Sequence, residues 1–239
     1  MDDLTVAVFS YNRGEYLENC LQSVWRNMPW ARVCVYDDDS DDPSTVRVLK
    51  DLDVPVCRPD KTTPGRHGGL YRNMQRALDE AETRWILFLQ EDMQIVRPVG
   101  RAEMQLVQAL FDEIPARAFV CPVFMKSIRA GRHRRRMVAH DNLRAYVRPA
   151  KRPAGSVYSD VAIADVGRLR AAGWRFAPSE SESATAAQRL FADMPYLADP
   201  FAFYCPEVPV FRNRGQSLAA QLSRLVRAGQ RISAVIQFS

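Results

Sequence analysis

The stretch Trp85–Gln94, WILFLQEDMQ, decides how the rest of the chain is read. Five apolar residues, Trp85 to Leu89, run without alternation into the acidic pair Glu91 and Asp92. A short apolar run of this kind suits a strand covered on both faces. In an open α/β sheet, ligands collect beyond the carboxyl ends of such strands, above all where strand order reverses. Two carboxylates delivered there suit a hard divalent cation, which prefers oxygen ligands and leaves positions open for phosphate. Alone, the pair reads as a solvated acidic turn; a second acidic cluster at the end of an earlier strand changes that reading.

Working upstream, Leu4–Phe9 (LTVAVF) reads as a short buried strand, and Asn12 with Glu15 as a capping box for the next helix. Leu17, Cys20, Leu21, Val24 and Trp25 recur at helical spacing and predict one apolar face. Arg32–Tyr36 is the second strand and ends in DDDSDDPS, where Asp42 before Pro43 signals a helix start. Val54–Cys57 is a short third strand. The loop KTTPGRHGG then leads into a helix over about 70–83, with Leu70, Met74, Ala77, Leu78 and Ala81 on one face. The order βαβαβαβ with short links predicts a parallel sheet with helices on both sides.

Downstream, Glu103–Phe111 reads as a helix and Ala118–Phe124 as a strand. Periodicity fails from Lys126 to Pro153, a basic stretch expected to be a loop or ribbon. Structure resumes over Val161–Phe176, a helix over Ala184–Phe191 and a proline-punctuated strand over Phe203–Val210. Gln216–Ile236 is a basic amphipathic helix with Leu218, Leu222, Leu225 and Val226 on one side.

The 239 residues suffice for a sizeable core, and 47% hydrophobic with 26% charged content is ordinary for a globular protein. Five scattered cysteines without a CxxC pair read as reduced core residues, not as a disulfide framework or zinc site. No secretion signal and no membrane-spanning run is recognisable, so a cytoplasmic protein is expected, with peripheral contact at the inner membrane face as an extension of that reading. The net charge of +5 is unevenly distributed. Acids cluster around 37–42 and 79–92, and arginine is dense over 126–152, which suggests a metal-binding half beside a half that meets an anion. GxxxxGK, GxGxxG, GxSxG and HExxH are all missing, which argues against P-loop kinases, Rossmann dehydrogenases, α/β-hydrolases and zinc proteases.

Two constellations carry the candidate chemistry. The first is Ser10, Tyr11, Asn12 and Arg13 with Asp37 and Asp38, both groups at the ends of early parallel strands. A carboxylate there can accept the imide N–H of uracil while Tyr11 stacks on the base; the plain alternative for DDDSDDPS is a turn and helix cap. The second is Glu91 and Asp92, where a cation would bridge a diphosphate and stabilise its departure. Gly68, Gly69 and Arg72 lie just upstream, and the glycines permit close approach or simply start a helix.

Together these stretches resemble the nucleotide-binding half of the GT-A glycosyltransferases, specifically the inverting family 2. The resembling residues are TVAVFSYNRGEYLENCLQSVW, VCVYDDDSDD and GGLYRNMQRALDEAETRWILFLQEDM, in order over roughly the first hundred positions. The resemblance implies a GT-A-like α/β domain with a mainly parallel sheet. Residues 1–100 would form the donor half, 101–215 a smaller mixed acceptor half and 216–239 the terminal helix. It assigns Asp37 and Asp38 to base binding, with Ser10, Tyr11, Asn12, Arg13, Gly69, Arg72 and Glu91 around the nucleotide. Asp92 becomes the ligand of a divalent cation, Mn2+ or Mg2+, since Gln90 stands where the motif usually begins with Asp.

In GWRFAPSESESATAAQRL, counting back from Arg189 aligns Glu182 with the family's acceptor-side glutamate, and Ser183 replaces its aspartate. Glu182 is therefore the expected general base, with Glu180 and Asp165 in reserve. The other reading of SESES is a polar helix start. At FRNRGQS, Arg212 occupies the place of a metal-binding histidine, and His67, His133 and His140 lie elsewhere. Either water and phosphate complete the metal, or Arg212 and Arg214 neutralise the diphosphate.

The function implied is transfer of a sugar from a nucleotide-diphosphate donor, UDP-linked, to a glycan or glycolipid hydroxyl with inversion. The run RAGRHRRRM suits an anionic acceptor, but a flexible solvated loop is the favoured reading, and nucleic acid is disfavoured by the few aromatic residues between the arginines. The terminal helix suits packing, a homodimer contact or an anionic membrane surface. Two alternatives stand: a nucleotidyltransferase, which SYNRGEY lacks the glycine-rich loop for, and a degenerate nucleotide-sugar-binding protein, motivated by Gln90, Ser183 and Arg212.

Overall fold

The computed structural model describes residues 3–59, 69–124, 137–140, 142–148 and 157–205. In chain order the elements are β1 (Leu4–Ser10), α1 (Gly14–Asn27), β2 (Arg32–Asp37), α2 (Pro43–Lys50), β3 (Val56–Cys57), α3 (Gly69–Glu80), β4 (Trp85–Gln90) and β5 (Met93–Ile95). There follow α4 (Arg101–Glu113), β6 (Phe119–Val120), β7 (Val138–Ala139), β8 (Ala145–Val147), β9 (Ile163–Asp165), α5 (Val166–Ala171), α6 (Glu180–Leu190), β10 (Tyr196–Leu197) and β11 (Ala202–Tyr204).

The main sheet has the order β3-β2-β1-β4-β9-β6. Its first four strands are parallel, as the alternation of strands and helices predicted. β9 runs antiparallel to both β4 and β6, so the sheet is mixed. Strand order reverses between β1 and β4: β2 lies on one side of the first strand and β4 on the other, with a crevice between their carboxyl ends.

Both sheet faces are covered, which is why the strands read as unbroken apolar runs. Leu4, Val6 and Val8 of β1 pack with Leu87 and Leu89 of β4 against α1, α2 and α4. Ala7, Phe9, Ile86 and Phe88 point the other way, against Met74, Ala77 and Leu78 of α3 and Ala184 and Ala187 of α6. The predicted α1 face is buried except for Trp25, which is 40% exposed at its edge.

Two smaller sheets complete the described residues. β10-β8-β7 form an antiparallel ribbon, so part of the 126–153 stretch is ordered as a ribbon. β11 pairs with β5 immediately after the acidic pair. The expected third strand shortens to two residues because Pro55 supplies only a carbonyl, which accepts the Val35 N–H. The Ala118–Phe124 strand is regular only at Phe119–Val120 and continues as single bridges from Cys121 to Tyr196 and from Val123 to Ala202.

Asn12 corrects a sequence expectation. Arg13, not Asn12, is the cap position of α1, and no side chain caps that helix. Asn12 has φ +51, a left-handed conformation that asparagine tolerates better than most residues. Its side-chain oxygen accepts from the Asp41 and Asp42 N–H groups, and its amide donates to Asp41 Oδ1. It therefore ties the loop after β1 to the loop after β2. The Asp42-Pro43 signal is correct: Asp42 accepts from Thr45 N, and Pro43 opens α2.

Candidate active site

Strand register brings the acidic clusters to one edge. Ser10 is level with Asp37 across β1 and β2, and Phe9 is level with Gln90 across β1 and β4. The backbone extends this pairing, with Asp38 N–H donating to Ser10 O and Glu91 N–H to Phe9 O. Hence Ser10–Arg13, Asp37–Asp38 and Glu91–Asp92 leave three adjacent strands at the same end.

Asp37 is fully buried and occupied by its own turn. Its carboxylate accepts from Ser40 Oγ at 2.5 Å and Ser40 N at 2.9 Å, with Arg58 Nε at 3.5 Å. Asp38 Oδ1 accepts from Gly69 N at 2.7 Å. That bond fixes the start of α3 beside the crevice, and Gly69 takes φ +73, which a side chain would strain. Arg72 stands exposed in the first turn of α3, with no ion pair among the described residues.

Glu91 turns inward to meet Arg13, Oε1 to Nη1 at 3.0 Å. Burial pushes its carboxyl up to about 7, against the pull of Arg13 and with a further push from Asp92. Arg13 Nε and Ser10 Oγ are both buried and have no hydrogen-bond partner among the described residues. Buried donors left unmade cost about 1–3 kcal/mol each unless something else meets them. These two unmet donors lie at the carboxyl end of β1, on the crevice side of the strand-order reversal.

The far side of β4 adds a carboxylate that sequence reasoning passed over. Asp160 precedes β9 and comes level with Gln90, given the Ile163–Leu87 pair and the Phe88 N–H to Ala162 O bond. It is 8% exposed and accepts from Tyr71 OH at 2.8 Å and Tyr158 OH at 2.7 Å. Burial raises it to about 6, with the Glu180 charge adding and the two tyrosines opposing. Tyr204 of β11, at the same edge, is raised by burial first and then by the charges of Asp92, Cys121, Glu180 and Asp160. A lone Asp in VYSDV carries no motif; the tyrosine two residues before it is the nearest signal.

Glu182 lies exposed in the first turn of α6, where Ser179 Oγ donates to its carboxylate at 2.8 Å and accepts from its N–H at 3.2 Å. Ser183 is fully buried and ties back to Ala177 N. Asp165 caps α5 and pairs with Trp85 at the far end of the strand, away from the crevice. Arg144 pairs with Asp199 at 2.6 Å, and the Arg148 guanidinium lies over the Tyr196 ring. His67, His133, Arg212, Arg214, most of the basic run and the 216–236 helix lie outside the described residues. Among the described residues no cluster of three or more His, Cys, Asp or Glu is arranged to hold a metal, and no helix is long and apolar enough to cross a membrane.

The family model described as glycosyl transferase family 2 matches residues 5–137, more than half of the chain. Comparison with curated proteins gives no match. Among solved structures, S. aureus TarS 1-349 in complex with UDP aligns at TM-score 0.61 and 20% identity, over 86% of this chain and 60% of that one. A mannosyltransferase from Pyrobaculum calidifontis, in complex with GDP-Man and Mn2+, aligns at TM-score 0.53 and 20% identity, over 94% and 64%. GalNAc-T7 with UDP, GalNAc and Mn2+ aligns at TM-score 0.61 and 11% identity, over 93% and 47%. The chain thus spans about 60% of the length of the TarS fragment it matches. With the family match and a mixed sheet whose acidic strand ends converge on one crevice, the chain belongs to glycosyl transferase family 2 and has the GT-A fold.

Proposed function

We propose that this chain transfers a sugar from a nucleotide-diphosphate donor, UDP-linked, to a hydroxyl of a glycan or glycolipid, with inversion. The observation that carries the reading is the convergence of Ser10–Arg13, Asp37–Asp38 and Glu91–Asp92 at the strand-order reversal, with Ser10 Oγ and Arg13 Nε buried and unmet among the described residues. The nucleoside binds over Tyr11 and the Asp37–Asp38 turn, and the diphosphate meets Arg13, the Ser10 hydroxyl and Arg72. Glu91 holds the Arg13 guanidinium in place. UDP in the TarS and GalNAc-T7 structures supports the choice of base.

A divalent cation fits the donor set as a substrate-borne ion, because Mg2+-like ions are commonly bound through one or two carboxylates plus phosphates. Asp92 would hold it, and when bound it neutralises charge on the departing diphosphate. Mn2+ in two similar structures supports this.

An inverting displacement needs a base on the side opposite the leaving group. Sheet order β1-β4-β9 sets the anion-binding donors on one side of β4 and Asp160 on the other, which supports Asp160 as that base. Its raised pKa lets it take the hydroxyl proton near neutrality. Glu182 is the second reading; its exposure on α6 leaves it reachable by an acceptor. The five free thiols support a reducing cytoplasmic setting. Membrane contact and a homodimer rest on the terminal helix and stay with it as proposals.

Calorimetry with UDP and Mn2+, followed by a donor-turnover assay, tests the function. Binding with turnover supports the transferase, binding without turnover supports a degenerate binding protein, and no binding removes both.

A further inference from the structure

Among the described residues, two that are not glycine take a left-handed backbone, Asn12 at φ +51 and Asp39 at φ +60. They sit in the two loops that leave β1 and β2 at the crevice. A side chain makes this conformation costly, least so for Asn and Asp, and it persists where the surroundings hold it. For Asn12 the holding comes from the opposite loop. Its N–H donates to Ser40 Oγ at 2.9 Å, and Ser40 donates from Oγ to Asp37 Oδ1 at 2.5 Å and from N–H to Asp37 Oδ2 at 2.9 Å. The Asn12 side-chain oxygen accepts from Asp41 N–H at 2.9 Å and Asp42 N–H at 3.0 Å, while its amide donates to Asp41 Oδ1 at 2.7 Å. Three of the four hydrogen-bond positions of this side chain are therefore used within the protein. The loops are joined again where their helices start: a Cβ added at Gly14 would lie 2.8 Å from Thr45 N, whose N–H Asp42 already accepts.

We propose that Asn12 is a positioning residue for the nucleotide, acting through the loops and not through a contact of its own with the ligand. It locks the β1 and β2 loops in the relative placement at which Tyr11, Arg13 and Asp38 meet a nucleoside diphosphate. Asn12 stands between Tyr11 and Arg13 in the chain, and its partner Ser40 stands two residues after Asp38, so all three side chains hang on the same tie. A neutral amide suits the place. The facing segment 37–42 already holds five carboxylates, and a sixth at position 12 would set an oxygen against Asp41 Oδ1. Locked loops are already in the binding shape, so little affinity is lost to ordering them. Unlocking divides the affinity by the fraction of chains that keep that shape. The inference rests on the donor-site reading above, and its test separates the two.

Calorimetric titration of the full chain with UDP and Mn2+ compares the wild type with three variants, at a temperature where circular dichroism shows each to be folded. Asn12→Asp keeps the size and both accepting bonds but turns the donated bond to Asp41 into a repulsion, and UDP affinity falls about tenfold. Asn12→Gly relieves the left-handed backbone and deletes the side-chain bonds, and affinity falls as far, although the backbone itself is relaxed. The reciprocal variant Asn12→Asp/Asp41→Asn lets the amide donate from the other loop and returns affinity to within about threefold of the wild type. Unchanged affinity in both single variants would overturn the tie while leaving the donor reading in place, and so would a reciprocal variant that binds no tighter than Asn12→Asp. No UDP binding by the wild type would overturn the donor reading and the tie together.

Discussion

Replacing Asp160 by Asn tests the acceptor side of the crevice most directly. The side chain keeps its size and an oxygen for Tyr71 or Tyr158, while the titrating proton is lost. Burial raises the wild-type carboxyl from 3.8 to about 6. At roughly 1.4 kcal/mol per tenfold change, that gap corresponds to about 3 kcal/mol. The sign follows from proton counting: between these values the folded state binds more protons than the unfolded state, so stability falls as pH rises. This contribution is fully present below about pH 4 and is lost as pH climbs through about 6. Urea denaturation of the wild type across that window therefore declines relative to Asp160→Asn, whose position 160 does not titrate. Turnover moves the other way. A base must be ionised, so wild-type donor turnover rises through about pH 6, while the variant loses that limb and about 10²–10⁴ of its rate. A variant that keeps its rate within about tenfold, with the acid limb intact, would refute Asp160 as base.

Tyr71→Phe removes a hydrogen bond that lowers the Asp160 pKa, so the acid limb of the rate profile shifts to higher pH while the plateau is kept. Asp92→Ala abolishes turnover and leaves the circular dichroism spectrum unchanged; retained turnover removes the metal assignment. Glu182→Gln keeps the reciprocal bond with Ser179 but not the charge, and turnover stays within about threefold, where a loss near that of a catalytic base (about 10²-fold or more) would move the role to Glu182. Gly14→Ala places a methyl about 2.8 Å from Thr45 N, so α1 and α2 must separate. Thermal or urea unfolding should show a loss of about 1–3 kcal/mol, and UDP affinity should fall as the Asn12–Asp41 tie is pulled.

Much of the β1–β4 half was legible because parallel strands covered on both faces leave unbroken apolar runs. Leu4–Phe9, Arg32–Tyr36 and Trp85–Leu89 are such runs, and each ends in polar or acidic residues that the register then juxtaposes. Asn12 was misread because a helix cap and a left-handed turn favour the same residue type, and only the fold reveals that its oxygen turns to Asp41 and Asp42. Asp160 was invisible for a different reason. Its character comes from burial against Tyr71, 89 positions away, and from a three-residue strand too short to show a period. The assignment of Glu182 rested on spacing from Arg189, which does not register that Ser179 holds its carboxylate.

The reversed strand β9 has an architectural consequence. β6 runs toward the ligand-binding edge and ends at Val120, and β9 sets out from the same edge at Ile163. The chain therefore leaves the sheet and re-enters it beside the crevice, at positions directly paired across β6 and β9. Lengthening such an excursion costs little, about 0.6 kcal/mol per doubling, and leaves the pairing of the strands untouched. Insertions can accumulate within that excursion while the six-stranded sheet keeps its register, whereas its two ends, Cys121 and Val157–Ala162, are held by the core.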